Sequence, residues 1–381
     1  MKEKSINLIT YHRACNYGAV LQTYASVEFF KKMGFDVNVI DYTPKYLQNF
    51  GTLKNTFNQV DNRKKGFIKR CIITIIKTPS YKKLRKVFGN FVNSTFKLTQ
   101  SYSSIDELKE NKPYADLYCS GSDQIWNNYY TGEFDKAFFL DFATKNDKCI
   151  SFASSFGKDC FDEKDEQIIK NSLKKYSILT VREKDGKNLL DKLELKPNMI
   201  LYDPTLLLDY ESWNNFAKGN TLKGKYILVY QLHGDSDAYD KAVEFAKRKN
   251  MKVVRIITMY HQIRKGCKNI IVPEIPEFLN LFKNSEYVFT DSFHGTVFSI
   301  IFKKKVGVRL PVRFSNRITS ILDSINSSEI IINDLNNWEQ TVTNEYMEKA
   351  NCNMCLNRDN MISEFTNKIV KLDEGDIKDE I

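Results

Sequence analysis

The stretch INLITYHRACNYGAVLQTYASVEFFKKMGFDVNVIDY, residues 6–42, reads as a strand, a helix and a second strand. The apolar run at 6–11 predicts the first strand, and apolar residues at helical spacing predict a helix over 17–33. Gly34 follows at the position where helices favour a glycine, and 36–42 predicts the next strand. This order is typical of a parallel βαβ unit.

The same alternation continues through both halves of the chain. We expect further strands, separated by helical segments, at 115–121, 150–156, 178–183, 226–232, 251–258, 286–291 and 305–310. Two such series predict an α/β protein with two Rossmann-like domains that face each other across a cleft, with the ligand near the carboxyl ends of the strands.

The predicted domain boundaries follow from these two series. Residues 1–203 form the first Rossmann-like domain, which includes a basic helical insertion at about 62–90, and residues 204–337 form the second. The segment 338–381 is helical in pattern, and we expect it to pack back on the first domain.

Composition narrows the possible environments and partners. The 381 residues carry a net charge of +10, which favours anionic partners, although we expect no nucleic acid among them. The eight cysteines are scattered, and no apolar run is long enough for a signal peptide or a spanning helix, so we expect a cytoplasmic protein with reduced thiols. Cys352 and Cys355 form a lone CxxC without further ligands nearby, so we predict no metal and no cofactor.

The insertion NRKKGFIKRCIITIIKTPSYKKLRKVFGN, residues 62–90, combines basic residues with an apolar helical core. One interpretation is an ordinary surface helix with a solvated basic face. The other is a helix that lies on an anionic membrane, because such a helix carries basic and apolar residues on opposing faces.

The first candidate site is the turn after the first strand, in TYHRACNYGAVLQTYA at 10–25. A glycine there lets the N-terminus of the next helix approach a ligand, and its free N–H groups would suit an anion or a sugar hydroxyl. A packing role for the glycine is the alternative. The candidate residues of this turn are His12, Asn16, Tyr17, Gly18 and Gln22.

The second candidate is GSDQIWN at 121–127, which also follows a predicted strand. Ser122, Asp123, Gln124 and Asn127 would cluster beside Trp126, a composition typical of carbohydrate sites, with Asp123 able to accept a hydroxyl proton. The alternative is an Asx turn that only satisfies local backbone groups.

Two further candidates follow strands at 178–183 and 286–291. Arg182 offers a planar fork to a carboxylate or phosphate, although an ion pair with a neighbouring acid such as Glu183 or Asp185 is the alternative. In SFHGT at 292–296 a helix begins at once, so its dipole favours an anion and His294 is placed to move a proton.

Taken in order, these motifs resemble the polysaccharide pyruvyltransferase family. The resemblance runs from about residue 5 to 325, through the stretch from His12 to Gln22, GSDQIWN, Arg182, Asp203-Pro204-Thr205, SFHGT and Asn316-Arg317. It implies a fold like that of the paired-Rossmann (GT-B) glycosyltransferases.

The resemblance also implies a reaction: transfer of a pyruvyl group from phosphoenolpyruvate to a saccharide, with formation of a ketal in surface polysaccharide biosynthesis. Arg182 would hold the donor and His294 would act as acid, with Asp123 on the acceptor. One branch of the family carries Arg-Leu-His where this chain has Ser292-Phe293-His294. Residues that would replace that arginine, or surround the donor, are Ser292, Phe293, Gly295, Thr296 and Arg317.

Two other functions remain open from the sequence. A glycosyltransferase that uses a nucleotide sugar would share the fold, and a non-catalytic saccharide- or membrane-binding protein of envelope assembly would need no anion site. The expected partners are phosphoenolpyruvate and a saccharide acceptor linked to polyprenyl diphosphate, at or near the inner face of an anionic membrane.

Overall fold

The polypeptide divides into two units that are joined by more than one crossing of the chain. The first contains residues 1–48, 92–208 and 356–381, and the second contains 49–91 and 209–355. The computed structural model describes residues 4–48, 67–128, 132–158, 160–196, 198–312 and 315–374.

The first unit is built on a parallel sheet of seven strands in the order β3-β2-β1-β4-β5-β6-β7. The strands are β1 (Lys4–Ile9), β2 (Phe35–Tyr42), β3 (Leu98–Tyr102), β4 (Leu117–Asp123), β5 (Cys149–Ser154), β6 (Leu179–Val181) and β7 (Asn198–Ile200). The helices are α1 (Tyr17–Lys32), α2 (Lys45–Gln48), α4 (Ile105–Glu110), α5 (Glu163–Leu173), α6 (Lys184–Lys192) and α7 (Pro204–Leu207).

The unit formed by β1, α1 and β2 confirms the prediction from 6–42. Gly34 turns the chain from α1 into β2. Its φ is 88°, a backbone conformation that is costly for a residue with a side chain. β1 is buried in the centre of the sheet because it pairs with both β2 and β4, which explains its apolar sequence.

The second unit has a parallel sheet of five strands in the order β10-β9-β8-β11-β12. The strands are β8 (Tyr226–Tyr230), β9 (Lys252–Ile257), β10 (Lys268–Ile271), β11 (Tyr287–Thr290) and β12 (Lys305–Val308). The helices are α3 (Phe67–Thr95, to Phe91 in this unit), α8 (Tyr210–Phe216), α9 (Ala238–Lys249), α10 (Ile275–Lys283), α11 (Phe293–Ile301), α12 (Asn316–Ser324), α13 (Leu335–Thr341) and the start of α14 (Asn344–Glu374).

The basic insertion belongs with the second unit, whereas the sequence analysis assigned it to the first. The described part of it lies on α3, where the Ser80 hydroxyl accepts a hydrogen bond from the Tyr260 amide at 2.9 Å. The Lys83 ammonium donates to the Ile271 carbonyl, next to the end of β10. Residues 62–66 of the insertion lie outside the described residues.

The last helix, α14, contributes to both units and divides between residues 355 and 356. In the first unit, the Phe365 ring packs against Phe29 and Phe30 of α1 and Phe152 of β5, at centroid distances of 6.1, 6.3 and 5.3 Å. In the second, the Asn351 amide donates to the Ile300 carbonyl at 3.1 Å. Within the described part of the chain, none of the helices has the length and apolarity needed to cross a bilayer.

Candidate active site

Each sheet reverses its strand order at one point, and three of the candidate motifs lie at these points. In the first unit the reversal is between β1 and β4, and in the second it is between β8 and β11. At such a point the connections leave the carboxyl ends of neighbouring strands in opposite directions, which opens a crevice for a ligand. The β1–α1 turn and GSDQIWN lie at the first reversal, and SFHGT lies at the second.

The β1–α1 turn closes its own helix N-terminus. The Asn16 side chain accepts from the Gly18 amide at 2.8 Å and from the Ala19 amide at 3.4 Å, so it caps α1. The prediction that free N–H groups here receive a ligand is therefore wrong for these two amides. Tyr17 and Gly18 are both buried.

His12 and Gln22 are buried in the polar layer beneath this turn. The Nε2 atom of His12 lies 3.0 Å from an Asp41 oxygen, and Arg13 donates to both oxygens of the same carboxylate. The Gln22 amide donates to the Thr10 hydroxyl at 2.8 Å. His12 is fully buried and is held by Asp41, so it supports the turn and does not face an acceptor.

Asp41 ties the end of β2 to the β1–α1 turn through this cluster. Burial alone would raise the pKa of Asp41, but hydrogen bonds from Arg13 and His12 outweigh burial and hold that pKa well below its ordinary value of 3.8. A carboxylate whose pKa is depressed in the folded state stabilises that state at any pH above its pKa in the unfolded chain. This contribution disappears as the pH falls toward its pKa in the folded protein.

We therefore expect Asp41→Asn to be less stable than the native protein by an amount that stays constant between about pH 7 and about pH 5. The difference should narrow only below 3.8, where the unfolded carboxyl group takes up a proton. Chemical denaturation of both proteins over this range measures it. A difference that already narrows between about pH 7 and about pH 5 would contradict this account of Asp41.

Trp126 and Ser122 of the GSDQIWN motif are part of the core. The Trp126 indole is fully buried, donates to the Phe138 carbonyl at 3.1 Å and stacks on Phe139 at 5.6 Å. The Ser122 hydroxyl donates to the Ala153 carbonyl at 2.9 Å. Neither side chain can contact a saccharide, so Trp126 is not the aromatic platform that the sequence suggested.

Asp123 is the partly exposed residue of the same motif, and the neighbouring Gln124 and Asn127 are buried. Asp123 has a φ of 71°, an uncommon backbone conformation outside glycine that concentrates at functional sites. Its carboxylate accepts from the Gln124 amide at 2.9 Å, which is the Asx-type contact left open by the sequence. The Gln124 and Asn127 side chains bond to each other at 3.2 Å.

Gly157 packs directly on this pair and must lack a side chain. A Cβ atom there would lie 2.4 Å from the Asn127 amide nitrogen and 2.8 Å from the Gln124 Cδ atom. The Gln124 Nε2 atom is buried and has no hydrogen-bond partner among the described residues. Asp123, Gln124 and Asn127 are therefore held in one arrangement by the chain around them.

Arg182 is buried among three carboxylates at the end of β6. Its Nε atom donates to Glu183 at 3.0 Å, its Nη1 atom donates to Asp203, and its Nη2 atom lies 3.7 Å from Asp123. Burial alone would lower the pKa of Arg182, but these three carboxylates raise it above its ordinary value. The ion pair with Glu183, which the sequence left open, is present.

Asp203 connects Arg182 to the start of α7. One Asp203 oxygen accepts from the Thr205 amide and hydroxyl at 3.0 and 2.6 Å, and the other accepts from Arg182. The Ser155 hydroxyl donates to Glu183 at 3.0 Å. The Arg182 guanidinium therefore neutralises acids of its own unit. Its N–H donors are engaged by these carboxylates and are not free to bind the anion of a ligand.

In the second unit, the SFHGT motif forms the first turn of α11. The Ser292 side chain caps the helix by accepting from the Gly295 amide at 3.3 Å. A Cβ atom on Gly295 would lie 2.3 Å from the Thr290 hydroxyl, so the helix can approach β11 only with glycine here. The His294 side chain is largely buried in this turn.

Thr296 and Arg317 were both candidates to replace the missing arginine. The Thr296 hydroxyl is fully buried and donates to the Ser292 carbonyl at 3.0 Å, so it does not reach a ligand. The Arg317 guanidinium lies 5.8 Å from the Phe293 ring centroid, and that ring lies 5.1 Å from the His294 ring. Arg317, at the start of α12, therefore places a cation beside this turn.

Asp291 joins the SFHGT turn to the loop after β8. Its carboxylate is fully buried and accepts from the amides of Leu232 and His233 at 2.7 and 2.9 Å. The hydrogen bond to Asp291 raises the pKa of His233. The sequence analysis did not identify Asp291 or Asp41, although each is an acid at or directly after the end of a strand.

The fold is similar to that of known sugar-nucleotide enzymes. The UDP-N-acetylglucosamine 2-epimerase of Listeria monocytogenes aligns over 100% of both chains with a TM-score of 0.55 and 11% identity. The enzyme from Neisseria meningitidis, solved with UDP-GlcNAc bound, aligns over 97% of this chain and 100% of its own, with a TM-score of 0.51 and 12% identity. These identities establish a GT-B-type fold alone.

Sequence comparisons give the family. No curated protein sequence matches the chain. The family model for polysaccharide pyruvyl transferases matches residues 16–308, which contain GSDQIWN, Arg182, Asp203 and the SFHGT turn. The chain therefore belongs to the polysaccharide pyruvyl transferase family and is a transferase of polysaccharide biosynthesis.

Proposed function

We propose that this transferase takes its pyruvyl group from phosphoenolpyruvate and forms a pyruvate ketal on a saccharide linked to polyprenyl diphosphate. The observation that carries the proposal is the position of His294: it lies on the first turn of α11, where the second sheet reverses its strand order, within the family match. A ligand anion at that helix N-terminus would be stabilised by the helix dipole.

The chemistry of the donor assigns a role to this histidine. Protonation of C3 of the enol makes C2 electrophilic, a sugar hydroxyl attacks C2, phosphate leaves, and a second hydroxyl closes the ketal. His294 would deliver the proton to C3, a task that suits an imidazole. Arg317, which lies near Phe293 at the start of α12, would balance the negative charge of the donor.

Asp123 is the candidate for the acceptor in the first unit. Its side chain is 19% exposed, and its carboxylate is held by the Gln124 backbone amide at 2.9 Å. A carboxylate held in this way would orient a sugar hydroxyl and accept its proton. Arg182, 3.7 Å from Asp123, would position that carboxylate.

The test is incubation of the purified protein with phosphoenolpyruvate and a panel of lipid-linked saccharides, followed by mass measurement of the acceptors. We expect one acceptor to gain a pyruvyl group and an equal amount of phosphate to appear. Strong inhibition by nucleoside diphosphates, together with transfer of a sugar from a nucleotide donor, would instead identify a glycosyltransferase.

We further propose that α3 attaches the enzyme to an anionic membrane. Ile72, Ile75 and Ile76 are 50%, 68% and 52% exposed, although large apolar side chains are normally buried. Lys82 and Lys86 are also exposed and follow on the same side of the helix, because residues three and four apart share a face. Apolar residues beside basic ones match an anionic lipid surface.

Reversing both lysines, as Lys82→Glu with Lys86→Glu, should therefore weaken binding to anionic vesicles by about 10-fold or more, since each basic residue contributes about 1 kcal/mol. The control is Lys218→Glu with Lys223→Glu, which reverses two exposed lysines elsewhere on the second unit. Sedimentation with anionic and neutral vesicles measures the difference. Equal loss in both variants, or concentration-dependent dimerisation through the isoleucines, would contradict membrane attachment by α3.

A further inference from the structure

A cavity of about 460 Å³ lies at the carboxyl ends of β8 and β9 in the second unit. It is lined by Gln231, Leu232, His233, Gly234, Arg255 and residues 261–264. Its volume is within the range of small-molecule sites. The cavity is distinct from the SFHGT turn, although His233 in its wall is connected to that turn through Asp291.

Arg255 is the central feature of this cavity because it is a buried cation without an acid. The side chain is only 8% exposed, and no carboxylate of the described residues lies within 4 Å of it. Its Nη1 atom donates to the Gln262 carbonyl at 2.7 Å, and the guanidinium lies 4.5 Å from the Tyr239 ring centroid. Its Nε atom has no hydrogen-bond partner among the described residues.

Burial of an unpaired charge is costly, and proteins normally satisfy it with an opposite charge. The contrast with Arg182 is direct. That guanidinium has three carboxylates around it, whereas Arg255 has a carbonyl, an amide oxygen, an aromatic ring and the Cys267 thiol. Arginine remains charged even when burial lowers its pKa, as it does for Arg255. An anion from outside the chain would complete this site.

The other polar groups of the wall indicate which anion. Arg264 also lies over the Tyr239 ring, at 5.1 Å, so two guanidinium groups are anchored on one aromatic residue. The loop that carries Arg264 is fixed, because the Gln262 side chain accepts from the amides of Thr258 and Met259 at 3.1 and 3.0 Å. Two guanidinium groups, one on strand β9 and one on the fixed loop after it, are suited to the several oxygens of a phosphoryl group.

We propose that this cavity is a phosphoryl-binding site in which Arg255 is the counter-charge. The ligand is a phosphate or diphosphate group of a substrate, and it could belong to the donor or to the diphosphate of a lipid-linked acceptor. The proposal of a phosphoryl site rests on the geometry of this cavity and not on the proposed reaction. It can therefore be wrong although pyruvyl transfer is observed, and it can be right although another reaction is found.

The test is calorimetric titration of the full-length protein with pyrophosphate. We expect Arg255→Gln to weaken binding by roughly 10- to 100-fold, the effect of one lost hydrogen-bonded charge. Because Arg255 is buried, Arg264→Gln at the exposed end of the loop is the second variant, and it should weaken binding without affecting the fold. Arg248→Gln, an exposed arginine of α9 that pairs with Glu244, is the control and should bind normally.

Competition then identifies the source of the phosphoryl group. If phosphoenolpyruvate displaces pyrophosphate, the cavity takes the donor's phosphate; if both bind at once, it takes a phosphoryl group of another substrate. Absence of pyrophosphate binding to the native protein, or native affinity in both Arg255→Gln and Arg264→Gln, would overturn the proposal.

Discussion

Arg182→Ala should destabilise the first unit by about 3–5 kcal/mol, the usual cost of removing one partner of a buried ion pair. The Arg182 side chain is 3% exposed, and its removal leaves Glu183 and the fully buried Asp203 without their counter-charge. It also releases the contact with Asp123, at 3.7 Å. We expect Arg182→Ala to lower the free energy of unfolding directly. It should lower activity only indirectly, because Asp123 is displaced.

Hydrogen exchange of the peptides that contain β5 and β6 measures this effect locally, because the Arg182 amide donates to the Ser154 carbonyl between these strands at 3.1 Å. We expect much faster exchange in Arg182→Ala and partial protection in Arg182→Lys, which keeps the charge. Arg248→Ala, which removes an exposed ion pair, should exchange like the native protein. Native protection in Arg182→Ala with a selective loss of phosphoenolpyruvate affinity would make Arg182 a donor ligand instead.

His294→Ala should lower turnover by roughly 10²- to 10⁴-fold while the KM for phosphoenolpyruvate changes little. This split follows from the proposed role, since a proton delivered in the transition state contributes to turnover more than to donor binding. Steady-state kinetics with saturating acceptor gives both constants. Added imidazole should restore part of the lost turnover, which a structural histidine would not allow.

The matched control for His294 lies one helical turn further along α11. The Ser299 hydroxyl is buried and donates to the Gly295 carbonyl at 2.7 Å, so Ser299→Ala disturbs the same turn without removing a proton donor. We expect Ser299→Ala to retain turnover within a few-fold of native. Equal losses in the two variants would show that packing of α11, and not His294 chemistry, controls the rate.

The central strands could be predicted from the sequence, and of the four edge strands only β12 could. β8 and β11 pair on both sides, and their sequences, YILVY and YVFT, are almost entirely apolar. The three strands that the analysis missed, β3, β7 and β10, are all at sheet edges. Their sequences, LTQSY, NMI and KNII, are short and mostly polar or partly exposed, so they lack the pattern of a buried strand.

The candidate site was predictable in its positions but not in its contacts. The ends of strands identified Asp123, Arg182 and His294, because the chain itself fixes which residues follow a strand. Trp126 was misread because burial depends on Phe138 and Phe139, which only the folded chain brings around the indole.

The contacts between charged or polar side chains that are distant in the chain could not be predicted from the sequence for the same reason. Arg182 pairs with Asp203, which is 21 residues further along the chain, and His12 pairs with Asp41, 29 residues away. Local spacing carries no signal for such pairs, since the packing of separate strands brings them together. Among the described residues of the second unit, no acid pairs with Arg255, and its local sequence does not show this either.

The central claim is pyruvyl transfer from phosphoenolpyruvate with ketal formation, and the oxygen that bridges C2 and phosphorus tests it most directly. Both ketal oxygens come from the acceptor, so ¹⁸O at the bridging position must leave with the phosphate. We expect the acceptor to gain an unlabelled pyruvyl group and the released phosphate to carry all of the label. Two results would contradict the account. One is label retained in the saccharide product. The other is that phosphoenolpyruvate gives no product with any acceptor to which the enzyme transfers a sugar from a nucleotide donor.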